Sequence, residues 1–218
     1  MTRLDAILLD LDGVLVASEP AHLWAWTELL RGEGVDFSAA DYRRVGAGRP
    51  REAVIRAMLG PIAPTEHERL MQEKAGLVER FIAEHGLDPV PGALDFARSA
   101  QEAGIGVAVA TSSRDPGLLL RAIGARDQFE VVVDRTMVAR GKPAPDLFLL
   151  AAQRLSIDPH ACWVVEDAPA GVEAGLAAGC HVLAVTTTHE RHDLQQAHQV
   201  IDHFDEVHWN DLVAWMAP

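Results

Sequence analysis

The stretch Ala6-Ile-Leu-Leu-Asp10-Leu-Asp12-Gly13 decides the fold of this chain. Its apolar run, Ala6–Leu11, is short and lacks clean polar alternation, which predicts a strand buried on both faces of a parallel sheet. Two carboxylates, Asp10 and Asp12, lie where this strand ends, and in open α/β sheets ligands bind beyond the carboxyl ends of strands. Gly13 permits a sharp exit from the strand. A solvated, Asp-rich turn is the alternative, whereas a calcium loop is excluded because its fifth and sixth positions require Asp and Gly.

Five further apolar runs of the same kind occur along the chain, and we predict a strand at each of them. They span residues 105–110, 130–133, 163–165, 181–185 and 200–202. From residue 91 onward, helical patterns separate these runs, with proline near their starts and glycine past most of their ends. This alternation favours an α/β fold: a Rossmann-like parallel sheet with helices on both faces.

One long segment, residues 18–84, interrupts that alternation with helical patterns alone, because its apolar residues recur at helical spacing. Ser38-Ala-Ala-Asp41 and Thr65-Glu-His-Glu68 are typical of capping boxes at helix starts. We therefore predict an inserted, all-helical cap over 18–84, and a core domain built from residues 1–17 and 85–218.

The charge and cysteine content exclude several classes of protein. The formal net charge of −13 at pH 7 disfavours binding to a nucleic-acid backbone or an anionic membrane. Cys162 and Cys180 are too few for a disulfide framework, and we predict that both are buried as small apolar side chains. No apolar stretch approaches the ~20 residues of a membrane span or has the pattern of a signal peptide. We expect a cytoplasmic protein.

Three further polar segments stand at or shortly after predicted strand ends: Thr111-Ser-Ser113, Gly141-Lys142-Pro143 and Glu166-Asp167. Hydroxyls and backbone N–H groups in the first segment can hold a phosphate. Only two of the 19 basic residues are lysines, and a compact ammonium at Lys142 suits a point-charge role. Both acidic pairs at one sheet edge would repel strongly, and a hard divalent cation such as Mg²⁺ relieves that repulsion. Taken singly, each segment is also typical of an ordinary surface turn.

In their order and placement, these four segments resemble the motifs of the haloacid dehalogenase superfamily of phosphotransferases. The resemblance covers essentially the whole chain, including the position of the predicted helical cap. It is closest to the branch that contains phosphatases and β-phosphoglucomutases. The stretches Gly141-Lys-Pro-Ala-Pro-Asp146 and Val164-Val-Glu-Asp-Ala-Pro-Ala-Gly171 are similar to those of sugar-phosphate and polyol-phosphate phosphatases.

The resemblance implies a role for each motif residue. Asp10 would be a nucleophile that forms an aspartyl-phosphate, and Asp12 a general acid and base. Thr111 and Lys142 would complete the catalytic set: Thr111 and the Ser112 amide would bind the transferring phosphoryl group, and Lys142 would neutralise both that group and Asp10. Ser113 would also bind the substrate. The implied ligands of Mg²⁺ are Asp10, the backbone carbonyl of Asp12, Glu166 and Asp167.

The resemblance also points to substrate-binding residues in the cap. His22, Arg51 and Lys74 match cap positions of the mutase branch, where the arginine grips a distal phosphate. Arg49 competes with Arg51 for that position. We predict that the other nine histidines of the chain are exposed to solvent.

Two activities remain open at this point. The first is a Mg²⁺-dependent phosphatase that hydrolyses sugar or polyol phosphates, and the second is a mutase of the β-phosphoglucomutase kind, which returns the phosphoryl group to a sugar. A non-catalytic binding protein with the same fold is disfavoured, because every motif residue is present. We expect a monomer that acts on a small phosphorylated metabolite and has no nucleic-acid or membrane partner.

Overall fold

The computed structural model describes residues 4–46 and 51–216. These residues divide into two compact units: one holds the described residues up to Ala17 and from Asp88 onward, and the other is Ser18–Leu87. The first unit contains both strands and helices, whereas the second contains helices and no strand among its described residues. None of the helices in the described ranges combines the length and the apolar character that crossing a membrane requires.

The α/β unit is built on six parallel strands in the spatial order β3-β2-β1-β4-β5-β6, counted over the described residues. The strands are β1 (Ala6–Leu9), β2 (Gly106–Ala110), β3 (Val131–Val133), β4 (Cys162–Glu166), β5 (His181–Val185) and β6 (Gln199–Ile201). Strands β2 and β3 lie on one side of β1, and β4, β5 and β6 lie on the other. Because all the strands are parallel, the carboxyl ends of β2, β1, β4 and β5 are neighbours along one edge of the sheet. This is the Rossmann-like α/β fold that the sequence predicted, and its ligand sites form where the strand order reverses.

The central strand β1 has no exposed residue, since Ala6–Leu9 are all fully buried. Leu9 pairs with Val109 of β2 on one side and with Val165 of β4 on the other. The strand ends two residues before the apolar run does, because Leu11 already belongs to a turn in which its carbonyl accepts the N–H of Val16 (2.9 Å).

Four of the described helices of the α/β unit lie between successive strands, as predicted, whereas the fifth, which follows the last strand, was not predicted. They are α5 (Ala93–Glu102), α6 (Pro116–Ala122), α7 (Asp146–Leu155), α8 (Pro169–Ala177) and α9 (Trp209–Trp215). Proline occupies the first turn of α6 and α8, where its fixed φ suits a helix start. Gly104, Gly124 and Gly179 adopt positive φ shortly after three of the helices end.

The helical unit consists of α1 (Glu19–Gly32), α2 (Ala39–Val45), α3 (Arg51–Leu59) and α4 (Pro64–His85), as far as it is described. Its core gathers apolar residues from all four helices, including Trp26, Tyr42, Val54 and Leu70. The predicted capping box at Ser38 is present.

The capping box predicted at Thr65 is wrong. Helix α4 begins one residue earlier, at Pro64, with Ala63 as N-cap and no side-chain cap hydrogen bond. A proline at the first helical position needs no N–H partner and presets the helical φ, so it displaces the start.

The two cysteines are both buried and free, as the sequence predicted. Cys162 Sγ also contacts the carbonyl oxygen of Asp158 at 3.4 Å. Hydrogen bonding to Cys180 and burial raise the pKa of the Cys162 thiol, so it stays protonated.

Substituting Leu8→Ala should lower the free energy of unfolding by about 2–5 kcal/mol, because it opens a cavity in a fully buried strand. Urea unfolding followed by circular dichroism measures this loss. Leu149→Ala is the matched control: Leu149 lies on α7, is 40% exposed, and should change stability by about 0.5 kcal/mol or less. Equal losses in the two variants would contradict the burial of β1.

Candidate active site

Three carboxylates converge where β1 and β4 end. Asp10 directly follows β1, and its N–H donates to the Val165 carbonyl (3.0 Å), which brings it beside Glu166 and Asp167. One carboxylate oxygen from each of the three lies within 4.8 Å of the others, and all three side chains are buried. The structure thus brings together acidic residues that are far apart in the sequence.

The ammonium of Lys142 lies among these carboxylates and is bonded to both strand ends. Its Nζ donates to Asp10 Oδ1, to Glu166 Oε1 (2.5 Å) and to the carbonyl oxygen of Ala110 at the end of β2 (3.1 Å). The Lys142 side chain is 8% exposed. An ammonium has three protons on a single atom, which matches three acceptors around one point. This geometry explains why a lysine stands here in a chain otherwise rich in arginine.

The loop that presents Lys142 is held on both sides. Arg140 makes a forked hydrogen bond to the Asp146 carboxylate at 2.9–3.1 Å, which closes the loop across Lys142. On the other side, Arg135 Nη1 donates to the Val138 carbonyl (2.9 Å). The Arg135 side chain also lies close to Gly141, since a Cβ at Gly141 would be 2.9 Å from Arg135 Nε.

Both oxygens of the Glu166 carboxylate already accept protein donors. Oε1 accepts from Lys142, and Oε2 accepts from the backbone N–H groups of Asp167 (3.1 Å) and Ala168 (3.3 Å). A Cβ at Gly171 would collide with this carboxylate, so the glycine lets α8 approach it. Glu166 is therefore the fixed partner of Lys142, a role that the sequence did not indicate.

The excess of buried negative charge changes the pKa values of the cluster. Burial raises the pKa of Asp10 to about 7 against the lowering effect of Lys142, and Glu166 adds to the rise. Burial, followed by repulsion from Glu166 and Asp10, raises the pKa of Asp167 well above its ordinary value. Burial lowers the pKa of Lys142, but attraction to Asp10 and Glu166 outweighs this effect and leaves it raised.

The donor set fits a divalent cation. When all three buried carboxylates are ionised, the single ammonium leaves two negative charges uncompensated. All the ligand atoms are hard oxygens, which Mg²⁺ and Ca²⁺ prefer. Asp12 is half-buried in the turn after Asp10. Gly13 in that turn has φ +81°, and a Cβ there would collide with Asp167 Oδ2. The turn thus packs its backbone directly against Asp167.

The hydroxyl segment after β2 forms a tight turn at the same edge of the sheet. Thr111 is fully buried, its N–H donates to the Val133 carbonyl (2.9 Å), and its Oγ1 accepts the N–H of Ser113 (2.9 Å). Ser112 is exposed and Ser113 is half-buried. Because the Ser113 N–H is used within the turn, only the side chain of that residue is left for the binding role assigned to it.

A further loop at this edge, directly after β5, was missed by the sequence reasoning. Thr187 Oγ1 donates to the Gly13 carbonyl (2.6 Å), and Thr188 Oγ1 donates to Asp167 Oδ2. His189 Nδ1 lies 3.0 Å from the Asp167 carbonyl oxygen. The sequence did contain a signal for this loop: three threonines, Thr186–Thr188, directly follow the predicted strand 181–185, just as Thr111 directly follows β2.

Prediction of solvent exposure for nine histidines was wrong for three of them. His67, His181 and His189 are half-buried. His181 stacks on Trp163 with ring centroids 5.1 Å apart, and burial, with His198 and His160 nearby, lowers its pKa.

In the helical unit, the structure brings together two of the three predicted substrate-binding residues. His22 Nδ1 and Lys74 Nζ are 2.9 Å apart. Lys74 is 2% exposed, and its Nζ lies 5.2 Å from the centroid of the Trp26 ring. Arg51 is the first residue of α3, but its side chain lies outside the described residues, as does the whole of Arg49.

Comparisons with known proteins agree with this architecture. A family model described as haloacid dehalogenase-like hydrolase matches residues 4–179. Hexitol phosphatase A of Escherichia coli is 36% identical over 216 residues, which cover 94% of this chain and 94% of that protein. Beta-phosphoglucomutase of Bacillus subtilis is 30% identical over 190 residues, covering 83% of this chain and 82% of that protein. The crystal structure of CbbY from Rhodobacter sphaeroides in complex with phosphate superposes with a TM-score of 0.81, at 28% identity, over 93% of this chain and 96% of that one.

Mg²⁺ should stabilise the protein more at higher pH. The folded pKa of Asp10 (about 7) lies above its ordinary value of 3.8, so folded Asp10 holds its proton more tightly than unfolded Asp10. Without metal, the contribution of Asp10 to folding stability is therefore fully present below pH 3.8 and is lost as the pH rises through about 7. Because a cation binds the deprotonated carboxylates, the Mg²⁺-induced rise in Tm should be small near pH 5 and grow towards about pH 8.

Thermal unfolding in EDTA and in Mg²⁺ measures this difference. Asp10→Asn should reduce the Mg²⁺ response, while Asp205→Asn, which changes an exposed aspartate of the same unit, should retain it. If Mg²⁺ leaves the Tm of the wild type unchanged at every pH, the inferred metal site is contradicted.

Proposed function

The chain belongs to the haloacid dehalogenase-like hydrolases, and we propose that it is a Mg²⁺-dependent phosphatase of small phosphorylated sugars or polyols. One observation carries the proposal: three carboxylates are buried together beside one ammonium, and when all three are ionised the ammonium neutralises only one of them. The name of the Escherichia coli relative, hexitol phosphatase A, supports the substrate class.

In the proposed first step, Asp10 is the nucleophile. A carboxylate oxygen of Asp10 attacks the phosphorus, and the bond between phosphorus and the ester oxygen breaks. Asp12 donates a proton to the departing oxygen, so the sugar or polyol leaves as an alcohol. The phosphoryl group is then held as an aspartyl-phosphate.

In the second step, Asp12 is the base. Its carboxylate takes a proton from a water molecule, the water oxygen attacks the phosphorus, and the bond to Asp10 breaks. Inorganic phosphate leaves, and Asp10 is restored as a carboxylate. Asp12 is suited to both steps because it lies two residues beyond Asp10 and is itself half-buried.

Positive charge and hydrogen-bond donors around the phosphoryl group lower the barrier to both steps. We assign this task to Lys142, to the Thr111 hydroxyl and to the Ser112 backbone N–H. Lys142 suits it because its raised pKa keeps it charged beside Asp10.

The proposed metal site consists of Asp10, the Asp12 carbonyl and Asp167, with Glu166 adjacent. A bound Mg²⁺ would supply positive charge that favours the ionised form of Asp10, whose pKa burial raises to about 7 despite the lowering effect of Lys142.

Binding of the non-transferring part of the substrate is assigned to Ser113 and to His22, Arg51 and Lys74 of the helical unit. The pairing of His22 with Lys74 at 2.9 Å supports a joint role for these two residues. We also propose a monomer in the cytoplasm, which the two free thiols and the negative net charge support.

A β-phosphoglucomutase-type activity is the second candidate. The paired His22 and Lys74 favour it, since both match cap positions of the mutase branch, and so does the match to beta-phosphoglucomutase of Bacillus subtilis. In that reaction, a sugar hydroxyl would replace water as the acceptor of the phosphoryl group.

The proposed phosphatase should release phosphate from a panel of sugar and polyol phosphates in Mg²⁺ but not in EDTA. Asp10→Asn should lower kcat by about 10³-fold or more, since it removes the nucleophile. Asp12→Asn should lower it by about 10²–10⁴-fold. Phosphate release is measured colorimetrically, with Asp205→Asn as the control that keeps full activity. Full activity of Asp10→Asn would contradict the mechanism.

One assay separates the two candidate activities. A phosphatase should release phosphate without a bisphosphate primer and should not convert β-glucose 1-phosphate to glucose 6-phosphate. Primer-dependent conversion without net release of phosphate would establish the mutase instead.

A further inference from the structure

The loop after β5 carries three successive threonines whose hydroxyls contact different parts of the α/β unit. Thr187 and Thr188 bond to the Gly13 carbonyl and to Asp167 Oδ2, respectively. We propose that Thr188 is a positioning residue that orients the Asp167 carboxylate for metal binding, an inference that rests on the proposed metal-dependent function.

The Thr188 hydroxyl lies among several polar atoms of the loop. Its Oγ1 donates to Asp167 Oδ2 and also lies 3.2 Å from the Asp167 carbonyl oxygen. His189 Nδ1 is 2.9 Å from Thr188 Oγ1 and 3.0 Å from the same carbonyl oxygen. The tautomer of His189 that has its ring proton on Nδ1 is a donor to both oxygens and leaves the single Thr188 proton for Asp167 Oδ2.

The Asp167 carboxylate needs such support because its neighbours repel it. It is buried, and Glu166 and Asp10 each place a carboxylate oxygen within 4.8 Å of it. A neutral hydroxyl fixes one oxygen of Asp167 without cancelling its charge, so the charge stays available to a cation.

Steric contacts confine the same carboxylate oxygen. A Cβ at Gly13 would collide with Asp167 Oδ2 and would lie 3.0 Å from Thr188 Cγ2. Asp167 Oδ2 thus lies against the backbone of the turn after β1 as well as against the Thr188 hydroxyl. Thr187 Oγ1 donates to the Gly13 carbonyl, so that turn and the threonine loop are hydrogen-bonded to each other.

The test measures metal binding without substrate, using Mn²⁺ as the probe and the electron paramagnetic resonance signal of free Mn²⁺ as the readout. Thr188→Val removes the hydroxyl at nearly constant volume and should weaken Mn²⁺ binding by about 10–100-fold. Thr188→Ser retains the hydroxyl and should bind Mn²⁺ as the wild type does. Thr188→Ala provides a second hydroxyl-free variant if the valine protein is unstable.

Thr186→Val is the matched control. Thr186 belongs to the same loop, but its hydroxyl donates to Asp202 (2.8 Å) in an exposed pair rather than to the acidic cluster. This variant should bind Mn²⁺ like the wild type, although it loses a threonine hydroxyl as well.

A steady-state measurement adds a second readout. In Thr188→Val, the Mg²⁺ concentration for half-maximal phosphate release should rise, while kcat at saturating Mg²⁺ should change far less. Wild-type affinity for Mn²⁺ in both hydroxyl-free variants would overturn the role of Thr188. Failure of the wild type to bind Mn²⁺ at all would instead overturn the proposed metal site, so the two failures are distinguishable.

Discussion

The rest of this structure depends on the burial of three carboxylates beside a single ammonium group. Charges removed from water cost several kcal/mol each unless partners compensate them, so the surrounding chain has to supply donors. Glu166 receives the Lys142 ammonium and two backbone N–H groups, and Asp167 receives the Thr188 hydroxyl. These contacts reduce the repulsion without neutralising the cluster. The remaining charge suits a hard divalent cation and gives a protein with a net charge of −13 a means to hold an anionic phosphate ester.

The parallel sheet supplies the positions of these groups. In the order β3-β2-β1-β4-β5-β6, four adjoining strands deliver Thr111, Asp10, Glu166 and the threonine loop to one edge. Strands that are buried on both faces have little freedom to move, because every side chain is packed. Short, rigid connections at the strand ends then hold the polar groups. Lys142 is the exception, since it reaches the cluster from a loop that precedes α7, held by Arg140 and Asp146.

Much of the fold was predictable from the sequence, and the failures have identifiable causes. All six described strands lie within two residues of the predicted runs. The four inner strands, β1, β2, β4 and β5, are almost fully buried, and burial on both faces requires continuous apolar side chains. Leu11 was placed in a strand because it is apolar, but the hydrogen bonds of a turn decide its conformation. Thr65 was placed at a helix start because of its side chain, but the φ of Pro64 decides that start. Exposure of His181 and His189 could not be judged, since no local pattern reveals which rings another segment will cover.

By itself, the sequence determined the α/β class, the inserted helical segment and the four polar motifs at strand ends. This was possible because strand burial, helix periodicity and the polar residues at strand ends each produce a pattern that is visible in a short stretch of sequence. The family resemblance implied that Lys142 acts on Asp10, but only the tertiary structure decided that its ammonium also binds Glu166 and the Ala110 carbonyl. It alone decided that Thr188 supports Asp167, 21 positions away. Such contacts depend on which strand ends become neighbours, and that order is set by the packing of the whole sheet rather than by any one segment.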